Sequence, residues 1–224
     1  MSAINNFLKN QKLWQQALTH RSFLNETKRD RLGSNERLEF LGDAVLSLVV
    51  SEWLYQKFPD FSEGKLTNLR SLLVKTETLA RIAEEQRLGE ELRMSRGERE
   101  SGGGKNQSLL ADCFEAIIGA LWLDRGIKTT QEAIRSNLEP ILDKIMMKGE
   151  FKDGKSLLQE RLQAISKESP RYQVLKTAGP DHARIFTTGV FHQKRLLAKG
   201  WGTSKQMAEE AAAKRALEKI KKKR

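Results

Sequence analysis

Over the first two thirds of the chain, apolar residues recur three and four positions apart, and this rhythm stops between Lys148 and Gly154. Leu38, Leu41, Val45, Leu48 and Val49 make one such run, and Leu66, Leu69, Leu72, Leu73 and Leu79 a second. Ile117, Ile118, Leu121 and Trp122 mark a third, and Ile134, Leu138, Ile141, Leu142 and Ile145 a fourth. A period near 3.6 gathers these side chains into one stripe per helix, and each stripe has to be buried against another helix. The front of the chain is therefore expected to be all-α. Pro59 separates two helices. Ser101-Gly102-Gly103-Gly104 reads as a flexible loop. It lacks a following Gly-Lys-Ser/Thr and a preceding strand, which excludes a phosphate-binding loop.

Residues 148–153 are the expected linker, and the pattern changes after them. Ser156 and Gln159 have capping-box spacing for a helix that ends before Pro170. Three short strand-like runs follow, Tyr172–Lys176, Arg184–Phe191 and Arg195–Gly200, separated by Gly179-Pro180 and a turn near His192-Gln193. Thr203 and Gln206 form a second capping box, opening an alanine-rich helix from Ser204 to Lys219. The order α-β-β-β-α allows two helices to cover one face of a three-stranded sheet. The fold class expected is an all-α domain over 1–147, a linker over 148–153 and a small α+β domain over 154–222.

Charge divides the chain at the same place. Residues 1–152 hold 23 Lys and Arg against 22 Asp and Glu, whereas residues 153–224 hold 17 against 7. A basic excess confined to one small domain points to a polyanionic partner. With one cysteine, Cys113, no internal disulfide can form. That fits a reducing compartment. Met1 to Lys12 lacks the basic-then-apolar pattern of a signal peptide. No run approaches the roughly 20 apolar residues of a membrane span. The expectation is a cytoplasmic protein without membrane contact.

The acids of the front domain are unusually placed. In Asn35-Glu36-Arg37-Leu38-Glu39-Phe40-Leu41-Gly42-Asp43-Ala44-Val45-Leu46, a helix sets Glu36, Glu39 and Asp43 within an arc of roughly 60°. Leu38, Leu41, Val45 and Leu48 then point the other way, toward the core. In Ala111-Asp112-Cys113-Phe114-Glu115-Ala116-Ile117-Ile118-Gly119-Ala120, Asp112 and Glu115 share a face. No basic residue lies between Leu109 and Leu123 to neutralise them. Like charges at helical spacing repel, and carboxylates set among apolar residues need a partner. A hard divalent cation such as Mg²⁺ takes oxygen ligands and meets both needs. Acids from two helices can form one such site. The plainer alternative is a solvated acidic face, or salt bridges to Arg37 and Arg70. Cys113 should face the core and be inert. His20, the only histidine of the front domain, reads as a buried or capping structural residue.

The segment Asn35–Leu46 resembles the signature of bacterial ribonuclease III. Ala17-Leu18-Thr19-His20-Arg21-Ser22 and Ala111–Gly119 are similar to other segments of that family's catalytic domain. The last third is similar to a double-stranded-RNA-binding domain. The resemblance implies an endoribonuclease for double-stranded RNA, with Glu39, Asp43, Asp112 and Glu115 as metal-site carboxylates. Asp43 and Glu115 match the pair called catalytic, and Glu36 and Glu63 match two supporting acids. Mg²⁺ is the implied cofactor, with Mn²⁺ able to substitute. A homodimer is implied, its contact on the helix around Phe40 and Leu46. Each site would cut one strand, leaving 5′-phosphate and 3′-hydroxyl ends with short 3′ overhangs. Ribosomal RNA precursors, and some messenger and transfer RNA precursors, are the implied substrates. Two metal ions can activate water and steady the leaving oxygen. Glu115, deepest in its apolar helix, is expected to anchor them.

A-form RNA shows its 2′-hydroxyls in a shallow minor groove and is read by shape. Gln159, Glu160 and Gln163 on the first helix of the second domain can bond to that groove. The loop Gly179-Pro180-Asp181-His182 offers His182 to a neighbouring one. Ser204 and Lys205 open the last helix, where free N–H groups favour phosphate. Similar domains carry a second Lys where this chain has Gln206, which removes one phosphate contact, and Lys214 compensates in part. Two rivals remain open at this point. One is a non-catalytic double-stranded-RNA-binding scaffold, which would tolerate loss of the acids. The other is a helical metallohydrolase for nucleotides, which would not need the basic domain.

Overall fold

Two helices carry the first part of the molecule, and they touch backbone to backbone. In the computed structural model, which describes residues 4, 7–26, 32–149, 154–180 and 183–221, α3 (Glu36–Lys57) packs along α8 (Gln107–Lys148). A Cβ on Gly42 would overlap the carbonyl oxygen of Glu115, and one on Gly119 would overlap that of Leu38. Only glycine permits that approach. Around the crossing, Leu38, Val45, Leu46, Val49 and Trp53 of α3 meet Cys113, Phe114, Ile117, Ile118 and Leu121 of α8, all buried. Each such side chain contributes about 1.5–3 kcal/mol of burial free energy. The chain forms two compact units, Met1–Phe151 and Lys152–Arg224.

The remaining helices of the first unit are α1 (Gln11–Ala17), α2 (Arg21–Glu26), α4 (Glu63–Val74), α5 (Thr76–Glu85), α6 (Leu88–Glu91) and α7 (Arg96–Glu100). The all-α expectation holds. The third and fourth apolar runs lie on one element, α8, which breaks its helical geometry at Gly126 (φ 68°, ψ −171°). Asn106 caps α8, its side chain accepting from the N–H groups of Ser108 and Leu109. Two expectations are corrected. Leu48 does not enter the core and is 59% exposed, because Val45 and Val49 on its flank take the contact. Ser101–Gly104 is not a free loop. Gly103 is buried, and the backbone of Gly104 is so close to Gly89 that a Cβ on Gly89 would overlap it.

The second unit runs α9 (Gly154–Gln163), β1 (Arg171–Ala178), β2 (Ile185–His192), β3 (Arg195–Gly202) and α10 (Lys205–Lys221). The sheet is antiparallel in the order β1-β2-β3. Gln193 and Lys194 both have positive φ (48° and 62°), as a two-residue hairpin turn matched to strand twist requires. Val190 and Ala198 pack with Leu158, Leu162, Ala212, Ala213 and Ala216. Alanines suit α10 because the sheet backbone comes close, and a Cβ on Gly200 would overlap Ala212 N.

Both helix starts differ from the capping boxes expected. α9 begins two residues before Ser156, and the Glu210 carboxylate of α10 accepts from Gly154 N (2.7 Å) and Lys155 N (3.3 Å). Ser204, not Thr203, caps α10, its Oγ accepting from Met207 N at 3.1 Å. Among the described residues, no helix is long and apolar enough to cross a membrane.

Candidate active site

The glycine crossing decides where the acids go. Glu39 lies three residues before Gly42, and Glu115 four before Gly119, so each stands on its helix beside the contact. Glu39, Asp112 and Glu115 each bring one carboxylate oxygen to within 4.8 Å of the others, and all three are half-buried. Asp43 is exposed and lies outside that trio, although its charge acts on both Glu115 and Glu39. Glu36 is exposed at the start of α3, where it accepts from Ser34 Oγ (2.9 Å) and pairs with Arg21 (3.6 Å). A cavity of about 260 Å³ opens beside them, lined by His20, Arg21, Glu36, Glu39, Leu92 and Asp112. Glu63 is elsewhere. In the first turn of α4 it accepts from Thr67 Oγ1 (2.9 Å) and lines a different hollow with Leu48, Tyr55 and Arg70.

These acids resist ionising together. Burial pushes the Glu115 carboxyl up to about 7, with the charges of Asp43, Asp112 and Glu39 adding to the effect. Burial also raises Glu39, helped by Asp112, Glu36 and Asp43. Asp112 is raised by burial and drawn back by His20. Arg21 pairs with Glu36, and Arg70 donates to Ser51 Oγ (2.9 Å). Among the described residues, no Lys or Arg forms an ion pair with the trio. An all-oxygen donor set of this kind suits a hard divalent ion. Cys113, between two of the acids in sequence, is fully buried on the core side, and burial pushes its thiol up so that it stays protonated.

On the second unit, Gln159, Glu160 and Gln163 are exposed along α9. Gln163 Nε2 also donates to Ser169 Oγ (3.3 Å). Ser204 and Lys205 are exposed at the start of α10. Lys214 pairs with Glu210 (3.5 Å). His182 lies outside the described residues.

A family model described as Ribonuclease-III-like matches residues 10–142, and one described as Double-stranded RNA binding motif matches residues 155–220. The chain belongs to the ribonuclease III family. It is 45% identical over 202 residues to the Ribonuclease 3 of Syntrophomonas wolfei, covering 90% of this chain and 85% of that protein. To the Ribonuclease 3 of Bdellovibrio bacteriovorus it is 46% identical, covering 94% and 90%. The solved nuclease domain of ribonuclease III from Campylobacter jejuni superposes with a TM-score of 0.55 at 39% identity, over 63% of this chain and 97% of that one. A second structure of that domain, at TM-score 0.55 and 42% identity over 59% and 89%, concerns flexibility in a region involved in dimer formation.

In this ribonuclease III His20 caps locally, as expected, since its Nδ1 faces Ser22 N (3.4 Å) and Ser22 Oγ (2.8 Å). It also lines the acid cavity. No ligand spacing announces it. The placement depends on residues 18–22 docking against residues 93–95, a long-range contact.

Proposed function

We infer that this ribonuclease III cleaves double-stranded RNA endonucleolytically, with Mg²⁺, or Mn²⁺ in its place, held by Glu39, Asp112 and Glu115. The observation that carries this is the convergence of three half-buried carboxylates from α3 and α8, one of them pushed up to about 7. A divalent ion, when bound, supplies Lewis acidity and a more acidic water. The chain's own part is to hold the carboxylates that would bind it in place. Glu115 is the anchor, because its environment disfavours the bare charge most strongly and so gains most from a cation. Asp43, exposed one turn along α3 from Glu39, is the remaining proposed catalytic and metal-site carboxylate, and its charge adds to the negative potential at Glu115 and Glu39. Glu36, tied by Ser34 and Arg21, closes the outer end of the cavity.

Gln159, Glu160, Gln163 and His182 are assigned to the minor groove, and Ser204 and Lys205 to phosphate at the start of α10. Residues 148–153 are the proposed linker between domains 1–147 and 154–222. Phe40 (81% exposed), Leu48 and Tyr55 (73% exposed) form an apolar stripe on one side of α3, the face on which we place a homodimer contact. Leu46, also expected there, is 1% exposed and belongs to the core. Glu63 lines a hollow on that same face, so a dimer is where its carboxylate would act. One staggered cut per strand by paired sites is proposed to leave short 3′ overhangs, and departure of the 3′ oxygen at each cut to leave 5′-phosphate and 3′-hydroxyl ends. Ribosomal RNA precursors, with some messenger and transfer RNA precursors, are the proposed substrates, and the cytoplasm the proposed compartment. A binding-only scaffold would have no use for the acid cluster.

The test is a defined RNA hairpin incubated with wild type and Glu115→Gln, with Mg²⁺ and with EDTA. Cleavage should need both Glu115 and the ion, while hairpin binding persists in the variant. Cleavage by Glu115→Gln at the wild-type rate sinks the assignment.

A further inference from the structure

The cavity beside Glu39 and Asp112 has a second wall, built from two short segments rather than a long helix. Arg93 N donates to Leu18 O (2.7 Å), and His20 N donates to Arg93 O (2.9 Å). Ser95 N donates to Ser22 Oγ (3.0 Å). His20 stands at the centre of this docked pair. Its Nδ1 receives the Ser22 backbone N–H, a group that can only donate. Ser22 Oγ, with a lone pair taken by Ser95 N–H, has its own proton to give to Nδ1 at 2.8 Å. Both contacts make Nδ1 an acceptor. The neutral ring therefore carries its proton on Nε2, the nitrogen left for the cavity. Asp112, across the cavity, accepts no hydrogen bond among the described residues, and nothing on its own helix orients its carboxylate.

A locked donor thus faces an unoriented ligand. We propose that His20 is a positioning residue of the metal centre, its Nε2–H steering the carboxylate of Asp112 across the cavity so that one oxygen is presented to the ion. No direct hydrogen bond joins the two, so the proposed link runs through a water, which can bridge polar groups too far apart to bond directly. Groups that orient metal ligands from behind typically change affinity by about 10–100-fold when removed. The inference rests on the metal-site reading above.

Mn²⁺ titration of the full-length protein without RNA, followed by electron paramagnetic resonance of the free ion, tests both separately. Wild type should bind and Glu115→Gln should not; if wild type does not bind, the metal reading fails and the role of His20 with it. His20→Ala should weaken binding about tenfold or more. Two further variants separate positioning from local capping. His20→Asn keeps an oxygen for Ser22 N–H but does not reach the cavity, and should bind as weakly as His20→Ala. His20→Gln extends an amide donor to the Nε2 position and should recover most of the affinity. Should His20→Asn bind like wild type and His20→Gln bind weakly, the residue is only a cap. Wild-type affinity in His20→Ala also overturns the proposal. If His20→Ala fails to fold, the Asn and Gln pair decides the question.

Discussion

Removing a charge from the cluster should make the metal-free enzyme more stable. The Glu115 carboxyl moves from 4.5 to about 7 on folding, chiefly through burial and then through its acidic neighbours. The folded state therefore holds this proton more tightly than the unfolded state does. Between those two pH values the unfolded chain binds fewer protons, so stability falls as pH rises. The loss begins above the unfolded value and is complete above the folded one. A tenfold change in proton affinity is worth about 1.4 kcal/mol, which sets a ceiling of roughly 3 kcal/mol. The carboxylate keeps a path to water, and screening leaves on the order of 1–2 kcal/mol. Glu115→Gln preserves shape without the charge. In EDTA at pH 8 its first domain should melt roughly 2–8 °C above wild type, at about 2–4 °C per kcal/mol. The gap should close near pH 4, and Mg²⁺ should raise wild type far more than the variant. Scanning calorimetry at the two pH values measures this. A variant that melts at or below wild type at pH 8 in EDTA would refute the reasoning, because the buried charge would then cost nothing.

Three further outcomes are expected. Gly119→Ala drives a methyl into the Leu38 carbonyl, so α3 and α8 must separate; a loss of about 1–3 kcal/mol and weaker Mn²⁺ binding should appear in urea titration and metal titration. Glu210→Ala leaves the first two N–H groups of α9 without their carboxylate and should cost the second domain about 1 kcal/mol, read from its own unfolding transition. Lys205→Ala should lower duplex affinity on all sequences alike and reduce the salt slope by about 1, measured by binding at several salt concentrations.

Much of this was legible because periodicity reports burial directly. The helical rhythm of Leu38 to Val49 and the short strand-like runs separated by turns after Pro170 identified both folds, and helical arcs placed Glu36, Glu39 and Asp43 together. Period does not say how wide a face the partner covers, which is why Leu48 was misplaced while its neighbours Val45 and Val49 were not. Nor does a glycine run show whether it is loose or packed, and Gly103 and Gly104 are packed. The cap on α9 comes from Glu210, 56 residues away, so no local pattern can show it. Glu63 and His20 depend likewise on tertiary placement. One is carried away from the acids by α4, and the other is carried to them by a segment pairing that leaves no mark in the spacing.

The contact between Gly42 and Gly119 has a bearing on transplanting the centre. Its reference frame is main chain against main chain, so exchange of core side chains at similar volume should leave the ligands where they are. The movable unit is then two short strings, Glu39 to Gly42 and Asp112 to Gly119, rather than the acids alone. Copied onto another helix pair without the glycines, the same carboxylates would stand too far apart to share an ion.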